Sequence, residues 1–249
     1  MSLRAVSVVI TRAREQASEL AVKLQDAGAT VIELPLIELR EPLDWAPVDA
    51  AIARIRDYDW ILFTSANAVR FLATRMPQGV SNIPARVCCI GPKTREVAEA
   101  AGWTVTLVPK EYVAESVAAA FETESLEGKR IFLPRAAVAR DLVPEALRGR
   151  GATVDIVEVY RNAVPEDAPA NAAKVFSADP KPQWIAFTSS STVKNLLAVI
   201  HREALEGVRI ASIGPATSET ARKHGFTVDA EANPHTLDGL VSAIERQSQ

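Results

Sequence analysis

Residues 60–69 read Trp-Ile-Leu-Phe-Thr-Ser-Ala-Asn-Ala-Val, and residues 184–193 read Trp-Ile-Ala-Phe-Thr-Ser-Ser-Ser-Thr-Val. Each stretch opens with a short apolar run, typical of a buried strand in a parallel sheet, and continues through Thr-Ser into helical spacing. Ser65 and Ser189 stand where a helix N-cap is expected, because a serine oxygen accepts hydrogen bonds from the first helical turn. The pattern predicts a strand, a tight turn and an open helix start, where parallel α/β proteins bind anionic ligands. An ordinary N-cap without a ligand is the alternative for either copy alone.

The two stretches belong to a repeat that extends along the chain. Four further pairs of residues are 123 positions apart: Arg12 and Arg135, Gly28 and Gly151, Gly91 and Gly214, and Trp103 and Phe226. A period of this length indicates a duplicated domain rather than a solenoid unit. Strands alternate with helical segments in each copy, which predicts an α/β protein with doubly wound, parallel five-stranded sheets.

Two spatial arrangements of the duplicated units are compatible with this pattern. Short connections favour a tandem arrangement, in which residues 1–125 and 126–249 each fold alone. In an exchanged arrangement, the first two strands of each copy pair with the last three strands of the other. Residues 36–42 and 158–165 favour exchange, because both segments are extended, contain proline and follow the second strand of their copy.

Composition excludes several classes of protein. A net charge of −3 argues against a general nucleic-acid binder, which would normally carry a basic face. No apolar stretch approaches the length of a membrane span, and the apolar run near the N-terminus is too short for a signal peptide. Cys88 and Cys89 lie in an apolar run, which suits buried thiols, and the three histidines lack metal-ligand spacing. We therefore expect a cytoplasmic protein with neither a metal nor a nucleic-acid or membrane partner.

Hydroxyl and basic residues follow the predicted strands. Ligands of doubly wound sheets with strand order 2-1-3-4-5 bind at the carboxyl ends of strands 1 and 3. The first strand of each copy ends at Arg12 or Arg135, the third at Ser65 or Ser189, and the fourth at a Gly-Pro-x-Thr motif. Free helix N–H groups and nearby cations suit carboxylates or phosphates. For each arginine, a solvated loop position is the alternative.

Several familiar sites are missing from the strand ends. The sequence contains no Gly-x-Gly-x-x-Gly motif after a strand and no Walker A motif, which argues against a dinucleotide or nucleotide site. It also lacks a nucleophile–histidine–acid set, a Cys–His pair and an acidic pair for a metal. A receiver-like pair of signalling domains would need aspartates at the ends of strands 1 and 3, where Thr, Arg and Ser stand instead.

The chain resembles the uroporphyrinogen-III synthase family over nearly its whole length. The resemblance rests on six phrases that occur in the order typical of the family: Thr11-Arg12, Phe63-Thr64-Ser65-x-Asn67-Ala68-Val69, Ile90-Gly91-Pro92-Lys93-Thr94, Val159-Tyr160-Arg161, Phe187-Thr188-Ser189-Ser190-Ser191 and Ile213-Gly214-Pro215-x-Thr217. Each phrase alone is weakly specific, whereas their combination and spacing are more specific.

The resemblance implies a lyase of tetrapyrrole (heme or siroheme) biosynthesis that works without a cofactor. Its substrate would be hydroxymethylbilane, a linear tetrapyrrole with eight carboxylates, which is cyclised with loss of water and inversion of the last ring. The resemblance also implies two flavodoxin-like domains, joined by two extended linker strands, with the site in the cleft between them. The expected bounds are residues 1–36 with 168–249 for domain 1, residues 42–157 for domain 2, and 37–41 and 158–167 for the linkers. A monomer is the expected state.

By resemblance, Tyr160 is the candidate acid that assists departure of the hydroxyl, and a packing tyrosine is the alternative. The expected substrate-binding residues are Arg12, Arg14, Ser65, Asn67, Lys93, Thr94, Arg135, Ser189, Ser190, Ser191 and Thr217. A two-lobed, non-catalytic small-molecule binding or sensing protein is the alternative function. The two functions differ in whether the chain diverts spontaneous cyclisation from isomer I to isomer III.

Overall fold

The computed structural model describes residues 2–76, 80, 83–109, 117, 119–121, 125–138 and 141–248, with residues 14–16 as backbone only. The described chain divides into two compact units. The first unit comprises Met1–Glu38 and Ala163–Gln249, and the second comprises Leu39–Asn162. No helix in the described ranges combines the length and the apolar character that crossing a bilayer requires.

Strands and helices alternate along the chain, as expected of an α/β protein. The described strands are β1 (Ser7–Ile10), β2 (Thr30–Glu33), β3 (Glu38–Arg40), β4 (Trp60–Phe63), β5 (Arg86–Cys89), β6 (Val105–Leu107), β7 (Arg130–Ala136), β8 (Thr153–Ala163), β9 (Trp184–Phe187), β10 (Arg209–Ser212) and β11 (Ala230–Glu231). The described helices are α1 (Arg14–Asp26), α2 (Ala46–Ala53), α3 (Ala66–Thr74), α4 (Pro92–Ala100), α5 (Leu142–Arg148), α6 (Ala168–Phe176), α7 (Ser190–Val199), α8 (Pro215–Lys223) and α9 (Leu237–Gln247). Short 3₁₀ turns occupy Ile55–Asp57 and Arg202–Leu205.

The first unit contains a sheet of order β11-β10-β9-β1-β2, in which all four strand pairs are parallel. Its strands are apolar on both faces because helices cover both of them. Val8 and Ile10 pack in a cluster with α1 and α9, whereas Val9 packs on the opposite face with α6, α7 and α8. β1 pairs with β9 from the other half of the chain, so the tandem arrangement that short connections favour is not the observed one.

The second unit contains a sheet of order β3-β8-β7-β4-β5-β6. Alternation again separates the side chains of β4: Ile61 and Phe63 pack with α2, α3 and α4, and Trp60 and Leu62 pack on the opposite face. The prediction of five strands is wrong for this sheet, which has six strands within the described part of the chain. The physical reason is that β8 is 11 residues long and so presents a long edge, which β3 covers.

Candidate active site

The predicted site residues of the second unit follow β4 and β5 directly or lie in the last residues of β7 and β8. The described pairs among these strands are parallel, so their carboxyl ends lie at one edge of the sheet, called here the carboxyl edge. α3 and α4 begin at this edge, directly after β4 and β5. The edge therefore brings together two helix starts and the side chains that precede them.

Ser65 is the N-cap of α3. Its backbone is extended (φ −154°, ψ 150°), and its Oγ accepts a hydrogen bond from the backbone N–H of Ala68 at 3.1 Å. This contact satisfies one of the first N–H groups of the helix, which have no partner within it. The N-cap predicted from the sequence is therefore present, and the positive end of α3 points out at the carboxyl edge.

Tyr160 reaches the α3 side of the sheet because β8 is irregular at this point. Val157 and Val159 pack on the face covered by α2, α3 and α4, while Ile156 packs on the other face. Strict alternation would send Tyr160 to the face of Ile156. The register between β7 and β8 shifts between Arg135 and Ala136, however, and Tyr160 packs in the same cluster as Val159. The irregularity thus redirects this side chain, as bulges near functional sites often do.

The hydroxyl of Tyr160 lies 3.2 Å from Oγ of Ser65. The tyrosine ring is 7% exposed and stacks on Phe71 of α3, with 5.4 Å between ring centroids and 18° between planes. Since Ser65 already accepts from Ala68, its own hydrogen is available to the tyrosine oxygen, and the phenolic hydrogen is then available to a ligand. The ring of Tyr160 therefore contributes to packing, while its hydroxyl contacts the N-cap residue at the start of α3.

The other predicted residues of this unit have partners of their own. Oδ1 of Asn67 accepts from Arg70 at 3.0 Å, on the surface of α3. Nζ of Lys93 forms an exposed ion pair with Glu96 at 2.8 Å, within α4. Thr94 is a residue of the first turn of α4 and is 5% exposed.

Arg135 lies at the end of β7, and its guanidinium is 2.6 Å from Oδ1 of Asp141. The arginine side chain is only 13% exposed, so this cation is held close to the fold. In the register of β7 and β8, Arg135 is paired with Glu158, which is two residues before Tyr160.

In the first unit, the three predicted serines form the start of α7. Ser189 is the N-cap, and its Oγ accepts from the backbone N–H of Ser191 at 3.2 Å. Oγ of Ser190 donates to the carbonyl oxygen of Ala216 at 3.0 Å and thereby joins the start of α7 to the start of α8. The carboxyl edge of this sheet therefore also carries two adjacent helix starts.

The remaining predicted residues of the first unit contribute in different ways. Arg12 is partly buried after β1, next to Thr11, whose hydroxyl donates to the carbonyl oxygen of Ala186 at 3.3 Å. Thr217 is 5% exposed and packs within α8. The side chain of Arg14 lies outside the described residues, although its backbone begins α1.

Sequence reasoning missed a chain of polar side chains at this edge. Oγ of Ser212 lies 2.5 Å from Oγ of Ser218, and Ser218 donates to the carboxylate of Glu231. Because Ser218 gives its hydrogen to Glu231, Ser212 donates to Ser218. These hydrogen bonds link the ends of β10 and β11 to α8. Its members are far apart in sequence, and none belongs to a motif.

His235 was also missed. The imidazole ring lies on Gly214, where an added Cβ would be 3.2 Å from Cγ and Nδ1 of the ring. The φ of Gly214 is 162°, an extended conformation that any residue can adopt, so its backbone does not require glycine. Glycine at this position instead leaves space for the ring of His235. Gly91, its counterpart in the repeat, has a φ of 90°, which favours glycine for conformational reasons. The sequence around His235 offers one local signal, Thr236, which directly follows the histidine and is the N-cap of α9.

Comparison with known proteins places the chain in one family. A uroporphyrinogen-III synthase of Synechococcus elongatus is 37% identical over 251 residues, which cover 96% of this chain and 94% of that protein. The solved uroporphyrinogen-III synthetase of Helicobacter pylori has a TM-score of 0.61 at 18% identity, covering 95% of this chain and 97% of that one. A solved mutant uroporphyrinogen III synthase of Thermus thermophilus has a TM-score of 0.60 at 18% identity, covering 97% and 98%. These two likenesses concern the fold. The sequence model of the family described as uroporphyrinogen-III synthase HemD matches residues 18–242, and the chain belongs to this family.

Proposed function

We propose that the chain cyclises hydroxymethylbilane to uroporphyrinogen III, with loss of water and inversion of the last ring, and that Tyr160 assists departure of the hydroxyl. The observation that carries the role of Tyr160 is its 3.2 Å contact with Ser65 at the start of α3. A phenol at the positive end of a helix is suited to giving up a proton to a leaving group. Family membership supports the reaction itself.

The proton path follows from the hydrogen bonds around Ser65. The N–H of Ala68 donates to Ser65. In the proposed path, Ser65 donates to Tyr160 across their 3.2 Å contact, and the phenolic hydrogen passes to the departing hydroxyl. The pyrrole nitrogen of the substrate supplies the electron pair that expels the hydroxyl, so weak acid assistance suffices. The residual phenolate oxygen then accepts from Ser65 close to the helix start, where negative charge is stabilised.

Substrate carboxylates are the second part of the proposal. The helix starts after Ser65 and Pro92 in the second unit, and after Ser189 and Pro215 in the first, offer backbone N–H groups of the kind that bind anions. Arg12 stands after β1 and adds positive charge at the edge of the first unit. Such binding would hold a flexible linear tetrapyrrole so that one carbon of its last ring attacks first.

The finer description of the fold is also proposed. Strand order 2-1-3-4-5, which the first sheet and the five strands β8-β7-β4-β5-β6 of the second share, supports two flavodoxin-like domains. Residues 1–36 with 168–249 and residues 42–157 would be these domains, with residues 37–41 and 158–167 as extended linkers. The reaction needs no cofactor or protein partner, so a monomer acting on hydroxymethylbilane is sufficient.

The isomer of the product tests this function. Hydroxymethylbilane closes spontaneously to isomer I, so the purified chain is mixed with it and the isomers are separated after oxidation to porphyrins. We expect isomer III to predominate. Isomer I alone, formed at the spontaneous rate by a folded chain that binds the substrate, would instead support a non-catalytic binding protein.

A further inference from the structure

β2 is an edge strand of the sheet in the first unit. It pairs with β1 on one side, and no strand of the described part of the chain pairs with its other side. The backbone N–H of Thr30 donates to the carbonyl oxygen of Val6 at 2.8 Å. Because main-chain groups alternate in direction along a strand, those of Val31 and Glu33 point away from β1. The four residues of β2 are exposed or half-buried, so these outward groups are accessible to a partner.

A groove of about 830 Å³ lies beside this edge, on the face of the sheet that α6 covers. Ile32 of β2 and Val175 of α6 line it, and both also pack against the core cluster of this face. The groove is as large as typical ligand sites, which measure about 300–1,000 Å³. A strand added to β2 would place every second side chain in this groove, as in other proteins that bind peptides at a sheet edge.

The groove carries two cations. Lys174 of α6 and Lys181 of the segment before β9 line it, and both side chains are exposed. Nζ of Lys181 donates to two backbone carbonyl oxygens, at 3.1 and 3.4 Å, which fixes its position. Glu33 also borders the groove, but alternation along β2 directs its side chain to the face opposite that of Ile32. The charges therefore favour an acidic side chain in an occupant of the groove.

We propose that β2 and this groove bind an extended, acidic peptide segment of another protein, which adds to the sheet as a further strand. The outward main-chain groups of Val31 and Glu33 exchange hydrogen bonds with the segment. One of its apolar side chains packs on Ile32, and an acidic side chain meets Lys174. A second copy of the chain fits less well, because its own β2 has Thr30 and Ile32 on the groove face and its acid, Glu33, on the other. The surface belongs to the first unit alone and is independent of the proposed reaction.

The probe is the synthetic peptide acetyl-Lys-Val-Thr-Asp-Thr-amide, which as a strand has valine and aspartate on one face. It is titrated into the isotopically labelled full chain, and we expect saturable changes in the amide resonances of Val31 and Glu33. Two further peptides carry a methyl group on the backbone nitrogen of the valine or of the threonine that follows it. One of them should bind about tenfold more weakly than the other, because only every second N–H of an added strand points at β2. A peptide with lysine in place of aspartate should bind about threefold more weakly than the original peptide.

Two pairs of proteins test the same contacts from the other side. Val31→Pro removes one outward N–H and keeps the pairing with β1, a position at which an edge strand tolerates proline. Val31→Ala is the matched control, because it shortens the side chain and retains the N–H. The dissociation constant should be about tenfold higher for Val31→Pro than for Val31→Ala. Lys174→Ala, compared with the unaltered chain, should lose the preference for aspartate over lysine in the peptide.

The outcomes separate the elements of the proposal. Saturable binding with unequal effects of the two methylations supports an added strand, and absence of saturation up to about 1 mM peptide overturns it. Equal binding of the two methylated peptides, or equal affinities of Val31→Pro and Val31→Ala, overturns pairing through the main chain. If Val31→Pro does not fold, the methylated peptides decide, because they leave the protein unaltered. Equal binding of the aspartate and lysine peptides overturns the acidic class, and a dimer of the chain that the Val31→Pro substitution dissociates would identify a second copy as the occupant instead.

Discussion

Replacement of Tyr160 by phenylalanine tests the proposed mechanism most directly. The variant keeps the ring, which is 7% exposed and stacked on Phe71, and removes only the hydroxyl that contacts Ser65 at 3.2 Å. Packing should therefore persist. Ser65 retains its hydrogen bond with Ala68, so the cap of α3 also remains.

The expected magnitudes differ between stability and activity. Loss of one hydrogen bond between two neutral groups should lower the free energy of unfolding by about 0.5–1.5 kcal/mol. General-acid assistance is worth about 10²–10⁴-fold in rate. Because the pyrrole nitrogen already drives departure of the hydroxyl, we expect the lower end, about 10²-fold in kcat. Residual turnover would come from positioning of the substrate.

Tyr58→Phe provides the matched control. Tyr58 is 3% exposed, belongs to the same cluster as Tyr160, and donates to Oδ2 of Asp155 at 2.8 Å. Its loss should cost stability, about 1.5–3 kcal/mol for a bond to a charged group, without lowering turnover. Burial and the bond to Asp155 raise the pKa of Tyr58 to about 12. This contribution to stability is complete below the pKa of a free tyrosine, about 10, and is lost as pH rises towards 12.

The assay measures isomer III formation and thermal unfolding for the three proteins in parallel. The mechanism requires that Tyr160→Phe lose much activity and little stability, and that Tyr58→Phe show the reverse. Wild-type kcat in a folded Tyr160→Phe variant would reduce this tyrosine to a packing residue. Equal losses of activity in both variants would indicate that damage to the shared core, rather than loss of the Tyr160 hydroxyl, lowers turnover.

Three further predictions concern the helix starts. Ser65→Ala and Ser189→Ala should each cost about 1 kcal/mol of stability through loss of an N-cap. We expect kcat to fall more in Ser65→Ala, because Ser65 contacts Tyr160, the proposed acid, and equal kcat values would contradict this. Gly91→Ala should cost about 1–3 kcal/mol by thermal denaturation, since its φ is 90°. Gly214→Ala should destabilise by displacing the ring of His235, and a His235→Ala background should relieve the loss in a double-mutant cycle.

Local features of the fold could be predicted from sequence because neighbouring residues determine them. Ser65 and Ser189 cap helices as expected, since the capping oxygen and its N–H partners are two or three positions apart. The apolar runs from Trp60 and Trp184 form strands buried on both faces, because uniform hydrophobicity fits a sheet covered by helices on each side.

Features that depend on distant residues could not be predicted from the pattern alone. The sixth strand of the second sheet arises where β3 covers the edge of β8, and its three residues carry no strong strand signal. The polar chain through Ser212, Ser218 and Glu231 and the contact of His235 with Gly214 likewise join segments that meet only after folding.

By itself, the sequence determined the α/β class, the duplication, the helix starts and the family, because each is expressed in residue types and their spacing. The residues alone left two pairings of the strands open, and the tertiary structure places β1 beside β9 although short connections favour its own half. It also decided the direction of Tyr160. Alternation along β8 points this side chain away from α3, and the register shift against β7 turns it towards Ser65. Pairing between strands belongs to two segments at once, so neither segment encodes it alone.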